Sequence, residues 1–399
     1  MPSNPSPRTR WSLAALFGIA AALAIGVVVL AFVWPAATAT PRNLPVGIAG
    51  PATQVTSIEH AFAKQDPDPV RFVRVTSRAD ALTRIRDRRL VGAVLLGSKP
   101  EVLTASAAGS AQSQILRGIG TTLQAEISAQ VEQGLVAKLQ QLGTALTKVQ
   151  QGAAAQVKAA IAAIERGEQP PAAPAAPQQS SAPAATSIPT VRITDVVPLS
   201  SDDPLGAGLS SASFPIVLGG MLGGVFISLL VAGAERRLVA LLVYGVVAGA
   251  VVVLVLQTWL HVLQGDWLTN AAAFGLAMLA TSALVVGCNA LLGTPGIAIG
   301  AIVSILIGNP ISGAAVPLQF IAGPWGDVGQ WFVPGAASTL IRSLSYFPDA
   351  DTAPQWWTIA AWAAGGVLLT VVGHFRARAP IALPEAELEP GDRRVPQPA

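Results

Sequence analysis

The residues able to do chemistry in this chain are few and scattered. Its three histidines, His60, His261 and His374, have no partner at metal-ligand spacing, and its single cysteine, Cys288, cannot make a zinc site alone. No phosphate loop of the form GxxxxGK followed by Ser or Thr occurs, and no GxSxG elbow. A P-loop ATPase is thereby excluded, and no nucleophilic triad is signalled. The sequence reads as a non-enzyme, with no cofactor and no metal expected. What remains is a set of polar and helix-breaking residues inside apolar surroundings. Asn289 and Asn309 are strongly polar side chains within or bordering the long apolar runs. Asn289 suits either an interhelical hydrogen bond or a ligand contact.

Asn309 opens the least regular stretch of the chain, residues 309–347. It holds Pro310, Gly313, Pro317, Gly323-Pro324-Trp325, Pro334-Gly335 and Arg342. Proline at 310 removes a backbone donor and turns Asn309 away from helix. Broken backbone at membrane depth is tolerated where protein or a water-filled cavity covers it. Two readings stay open. The segment is a structured interfacial loop, or it is a re-entrant cap lining a translocation path through Asn289, Asn309, Pro310, Pro317, Trp325 and Arg342. A second constellation is Glu235-Arg236-Arg237, which is either topogenic charge or a docking site for an ATPase.

The elements that must position these residues follow from where charge is missing. From Leu205 to Gly326 the only charged side chains are Glu235, Arg236, Arg237 and Asp266. The chain is 52% hydrophobic and 12% charged, against about 25% charged in soluble domains. A spanning helix needs about 20 apolar residues. Trp11–Trp34 qualifies as a first span, and the tail Ala37-Thr38-Ala39 looks faintly like a cleavage site. The apolar run is too long for a signal peptide, so it reads as an uncleaved anchor. Further spans are predicted near Ser213–Gly233, Leu238–Leu260, Ala271–Leu292, Pro295–Leu318 and Trp356–His374. The fold class is then an α-helical integral membrane protein, with six transmembrane helices (one plus five) and an α/β extracytoplasmic domain carrying a long helical insertion. Arg8, Arg10, Arg236, Arg237, Arg376 and Arg378 fall on one side of such a bundle, which the positive-inside rule makes cytoplasmic. Residues 1–10 and the Pro- and Glu-rich tail 376–399 are expected in the cytoplasm of a plasma-membrane protein, the tail disordered.

The polar region 35–210 lies between the spans. Leu44–Ala49, Val70–Thr76, Leu90–Leu96, Glu101–Ser106 and Thr190–Val197 read as strands. Ser57–Lys64 and a helix capped by Ser77, with Asp80 completing the capping box, alternate with them. Arg84, Arg86, Arg88 and Arg89 cluster, but Asp80 and Asp87 interleave, which marks a solvated face and gives no case for nucleic acid. Between Ser110 and Arg166 apolar residues recur from Ile115 to Val149 in steps of four and three. That is a helical stripe. Gly134, Gly143 and Gly152 suggest that it folds into a hairpin, the alternative being a seam against another helix. Residues 167–189, rich in Pro, Ala, Gln and Ser, read as a flexible linker.

This layout resembles the permeases of type-2 ABC exporters, in the bacterial branch like the phage-infection protein. The stretches that carry the resemblance are Leu44-Pro-Val-Gly-Ile-Ala-Gly-Pro51, Leu90-Val-Gly-Ala-Val-Leu-Leu-Gly97, and the series Asn309-Pro310, Pro317, Gly323-Pro-Trp325, Pro334-Gly335, Arg342. The resemblance implies a dimeric or heteromeric permease, surrounded by membrane lipids, that works with a separate cytoplasmic ATP-binding subunit and exports an amphiphile. The loop holding Glu235 is very short for coupling to such a motor. A non-transport protein whose extracytoplasmic domain binds a cell-envelope partner is the alternative. An intramembrane enzyme is disfavoured by the lack of paired acids or a nucleophile at depth.

Overall fold

A computed structural model of the chain describes residue 19 and residues 30–35, 37–62, 69–167, 189–204 and 206–377. Most of the predicted first span, the predicted linker and the tail lie outside the described residues. Two compact units emerge, Pro41–Leu199 and Ser200 onward together with the residues up to Thr40.

The first unit is built on a five-stranded sheet. β1 (Leu44–Ala49) leads through α1 (Ala52–Phe62) to β2 (Val70–Arg74), and α2 (Arg78–Arg86) leads to β3 (Gly92–Leu95). β4 (Glu101–Thr104) and β5 (Arg192–Asp195) complete the order β2-β1-β3-β4-β5. β1 pairs in parallel with both neighbours, β4 runs against β3, and β5 is parallel to β4. A strand between parallel neighbours is covered on both faces, so it reads as a continuous apolar run. Val46 and Ile48 are accordingly 0% and 1% exposed. α2 starts where the capping residue predicts. Ser77 Oγ accepts the Asp80 N–H at 3.1 Å. Asp80 closes back not on Ser77 but on the Thr76 N–H, at 3.0 Å. Its carboxyl is held below the usual carboxylate range, first by that N–H and then by Arg84. The arginine cluster is partly neutralised, with Arg84 2.7 Å from Asp80 and Arg89 3.9 Å from Asp87.

Between β4 and β5 stands α3 (Ser110–Glu165), one unbroken helix of 56 residues. At 1.5 Å per residue it is about 84 Å long. The predicted hairpin does not form. A glycine inside a helix costs about 1 kcal/mol relative to alanine but does not itself turn the chain. None of Gly134, Gly143 and Gly152 takes a positive φ, and no proline interrupts Ser110–Glu165. The first turns of α3 pack on the sheet. Leu116 is 1% exposed, and it lies so close to Gly92 that any Cβ there would collide with it. Beyond residue 131 the helix leaves the sheet, and Leu135, Leu139, Leu142, Leu146 and Val149 are all exposed.

The second unit is helical. It contains α4 (Ala207–Leu230), α5 (Ala234–Val253, prolonged by a π-helical segment to Trp259), α6 (Trp267–Leu292) and α7 (Thr294–Ala301, prolonged by π-helical Ile302–Gly308). After short turns come α8 (Val333–Tyr346) and α9 (Ala353–Ala377). α6 is the buried centre, against which α4, α5, α7, α8 and α9 all pack. Three helices are long and apolar enough to cross a membrane: Ala234–Trp259, Trp267–Leu292 and Ala353–Arg376, with mean hydropathies of 2.9, 2.0 and 1.6. Ile216–Leu230 and Thr294–Gly308 are shorter apolar helices. Leu242, Val246 and Trp259 of the first of these spans are 61%, 74% and 75% exposed. So much uncovered apolar side chain needs an apolar solvent, and the chain is a membrane protein. The centre is tight because α5 and α6 meet through small residues, with Gly249 lying against Gly275 and the Ala271 carbonyl.

Candidate functional site

The site is organised by the end of α7. Its last turns are π-helical, and the Asn309 N–H still reaches the Ser304 carbonyl at 3.2 Å. Wide turns of this kind are frequent at functional sites. The helix stops there, as Pro310 requires, and the chain enters irregular turns. These turns are covered by protein and satisfied internally. Ser312 is 1% exposed. Its carbonyl accepts both Gln330 Nε2 and Ser338 Oγ, each at 3.1 Å. Gln330 Oε1 in turn accepts the Thr339 hydroxyl at 2.7 Å. This network pins the broken segment to α8. Sequence reasoning missed Ser312, Gln330 and Ser338, because hydrogen bonds between such distant positions carry no local signal.

Between this segment and the neighbouring helices lies a small cleft of about 40 Å³. Its walls are apolar: Ile216 and Val217 of α4, Phe274, Ala277 and Met278 of α6, and Val333, Pro334, Ala337 and Ile341 of α8. The polar lining consists of Thr281, Asn309, Ser338 and Arg342. The composition of the lining is that of small-molecule sites, mostly apolar with a few placed polar groups. Arg342 is half-buried and lies in the field of Asp203, which is 7% exposed. The Asp203 carboxylate accepts the Gly208 N–H at 2.9 Å. Tyr346, one turn on from Arg342, donates its hydroxyl to the Val262 carbonyl at 2.6 Å.

Of the six residues predicted to line a path, Asn309 and Arg342 come together in this cleft. The other four do not line it. Asn289 sits half-buried in the last turn of α6, where its carbonyl accepts the Gly293 N–H. No hydrogen bond of its side chain is found among the described residues. Interhelical bonds come instead from Tyr244, whose hydroxyl donates to Gly219 O at 2.6 Å, and from Ser282, which donates to Gly220 O at 2.6 Å. Pro310 follows the break, Pro317 caps the turn Leu318–Phe320, and Trp325 is 47% exposed.

The triplet at the start of α5 divides into parts. Glu235 and Arg236 are exposed. Arg237 bends back to donate to Val231 O at 2.8 Å and Ser228 O at 2.9 Å, closing the carbonyl end of α4. In the sheet unit the strand order reverses between β1 and β3, the usual ligand crevice of an open α/β sheet. That place is occupied: Leu96 lies against Gly50 and donates its N–H to Ala49 O at 2.7 Å. Among the described residues, no three of His, Cys, Asp and Glu gather as a metal set. Cys288 is buried, 8% exposed. No protein-family model, no curated protein and no solved structure matches this chain.

Proposed function

We propose that the chain is a permease-like subunit of a type-2 ABC exporter, moving an amphiphilic or lipid-like molecule outward with energy supplied by a separate ATPase. The observation that carries this reading is the cleft itself. An apolar cleft sits beside a helix broken at Asn309, with Arg342 and Asn309 in its polar lining. In the proposed topology the chain crosses the plasma membrane six times, both termini are cytoplasmic, and the sheet unit faces outward. Glu235 and Arg236 are the exposed charges offered to the ATPase. The permease works as a homo- or heterodimer. The uncovered stripe from Leu135 to Val149 supports a helical partner, since its four-three spacing is that of a coiled-coil seam.

Co-purification tests this. A nucleotide-binding subunit is expected to associate with the full chain, and Arg236→Glu is expected to weaken the association. If no such subunit associates and deletion of the chain leaves amphiphile export unchanged, the proposal fails. A second reading rests on the same uncovered stripe of α3: the sheet unit binds a cell-envelope partner and nothing is transported. A tethered copy of Pro41–Leu199 that rescued the deletion phenotype would favour it.

A further inference from the structure

We infer that the apolar stripe of α3 from Leu135 to Val149 is the docking face for this chain's own residues 168–188, which return along the helix from its far end to β5. The inference needs only α3 and the length of the chain, and it does not rest on the export reading. A helical partner would need the same face, so the two occupants exclude each other. With the stripe filled from within, a permease dimer forms without it.

Chain length and two fixed ends carry the argument. α3 ends at Glu165, and Gly167 takes a φ of +71°, the left-handed turn that stops a helix and redirects the chain. The chain is next held at Pro189, whose carbonyl accepts Gln124 Nε2 at 3.4 Å, while Val191 donates its N–H to Gln124 Oε1 at 2.6 Å. Gln124 lies 43 residues before Gly167. That is about 64 Å along the helix. Only 22 residue steps lead from Gly167 back to Pro189. As a flexible coil they would span about 25 Å, and as a helix about 33 Å. To close the circuit they must advance about 2.9 Å per residue, just under the rise of about 3.1 Å in a polyproline helix. At that rise the segment is about 68 Å long, so it can bow away from its straight course by only about 11 Å. It therefore runs beside α3 for most of the length of the helix.

The phase of the helix selects the side. The stretch from Gln124 to Gly167 makes about twelve turns, so both ends of the segment stand on one side of α3. At about 100° per residue, Leu135, Leu139, Leu142, Leu146 and Val149 all fall within about 60° of that side. These five are 56–64% exposed, so a chain laid along them buries apolar surface that α3 leaves open. Composition agrees. Residues 168–188 hold five prolines and seven alanines and, after Glu168, no charged side chain. Proline's fixed φ lowers the entropy lost on extension, and small side chains let a backbone settle between leucines.

The experiment uses the full chain in neutral detergent with Cys288→Ala. Lys138→Cys stands about 40° from the docking side, and Ala182→Cys at the matching height. A short bismaleimide should join this pair within one chain about tenfold or more faster than it joins Ala182→Cys to Gln140→Cys, on the opposite side of α3. Elastase, which cuts after alanine, gives a second readout, because a segment held on a surface resists cleavage. Leu142→Asp with Leu146→Asp puts charge into the stripe at exposed positions, and should speed cleavage within 168–188 about tenfold. Equal joining of the two cysteine pairs overturns the inference, as does cleavage indifferent to the aspartates. So does joining of Lys138→Cys between two chains in place of the internal link, which gives the stripe to a second copy.

Discussion

Removing the Arg237 side chain separates structure from docking in the one charged turn of the helical unit. Its guanidinium donates to two carbonyls that α4 leaves without helical partners, at 2.8 and 2.9 Å, and it is half-buried. A hydrogen bond to a charged group contributes about 1.5–3 kcal/mol when buried. Partial exposure and rehydration of the freed carbonyls reduce the pair together to about 1–2 kcal/mol. Arg237→Ala should therefore lower the melting temperature of the detergent-solubilised chain by about 2–8 °C, at about 2–4 °C per kcal/mol for a unit of this size. Arg237→Lys should restore part of the loss, since an ammonium reaches one carbonyl but not both in a fixed fork. Arg236→Ala, at an exposed neighbouring position, should stay within about 0.5 kcal/mol. Intrinsic tryptophan fluorescence against temperature reads all three. Equal losses from Arg236→Ala and Arg237→Ala, or no loss from Arg237→Ala, would refute the capping argument and return the whole triplet to the surface.

Three further predictions concern the sheet unit. Leu116→Ala should cost about 2–5 kcal/mol, because it empties a sealed contact with Gly92, while Leu142→Ala, at a position 56% exposed, should stay within about 0.5 kcal/mol; denaturant titration followed by circular dichroism compares them. Spin labels at Thr121 and Gln151, in a Cys288→Ala background, should lie about 45 Å apart along one straight helix, and a separation of about 10–20 Å would restore the hairpin. The Glu101 carboxyl is lowered chiefly by its bond with Arg78 and further by the Thr194 hydroxyl. A carboxyl lowered in the folded state contributes stability above its unfolded value near 4.3 and loses it as pH falls through the folded value. The sheet unit should thus weaken below about pH 4, less steeply in Glu101→Gln, as acid-dependent hydrogen exchange of β4 would show.

Much of this was legible in the residues. The strands of the sheet unit begin within two residues of the predicted positions, because short apolar runs bounded by Gly, Pro and Ser admit few alternatives. The start of α2 was fixed by Ser77, and the stop of α7 by Pro310, since both act through their own backbone. Effects that depend on distant partners were not legible. Arg237 looks like topogenic charge until its carbonyl partners, six and nine residues upstream, are seen. The direction of β4 depends on a turn whose residues permit either course. Gly134, Gly143 and Gly152 suggested a bend, yet a glycine only weakens a helix, and nothing nearby offers the second arm a surface. The cleft showed half of itself in sequence. Asn309 and Arg342 stood out as polar residues in apolar company, whereas Phe274 and Met278 are indistinguishable from core until the helices are placed around them.

The central claim is that the apolar helices cross the bilayer and leave the sheet unit outside the cell. Single cysteines at residue 150 and at residue 236, each with Cys288→Ala, test it in intact cells with a membrane-impermeant maleimide. The account predicts rapid labelling at 150 and labelling at 236 only after permeabilisation. Protection of residue 150, or labelling of residue 236 from outside, would contradict it.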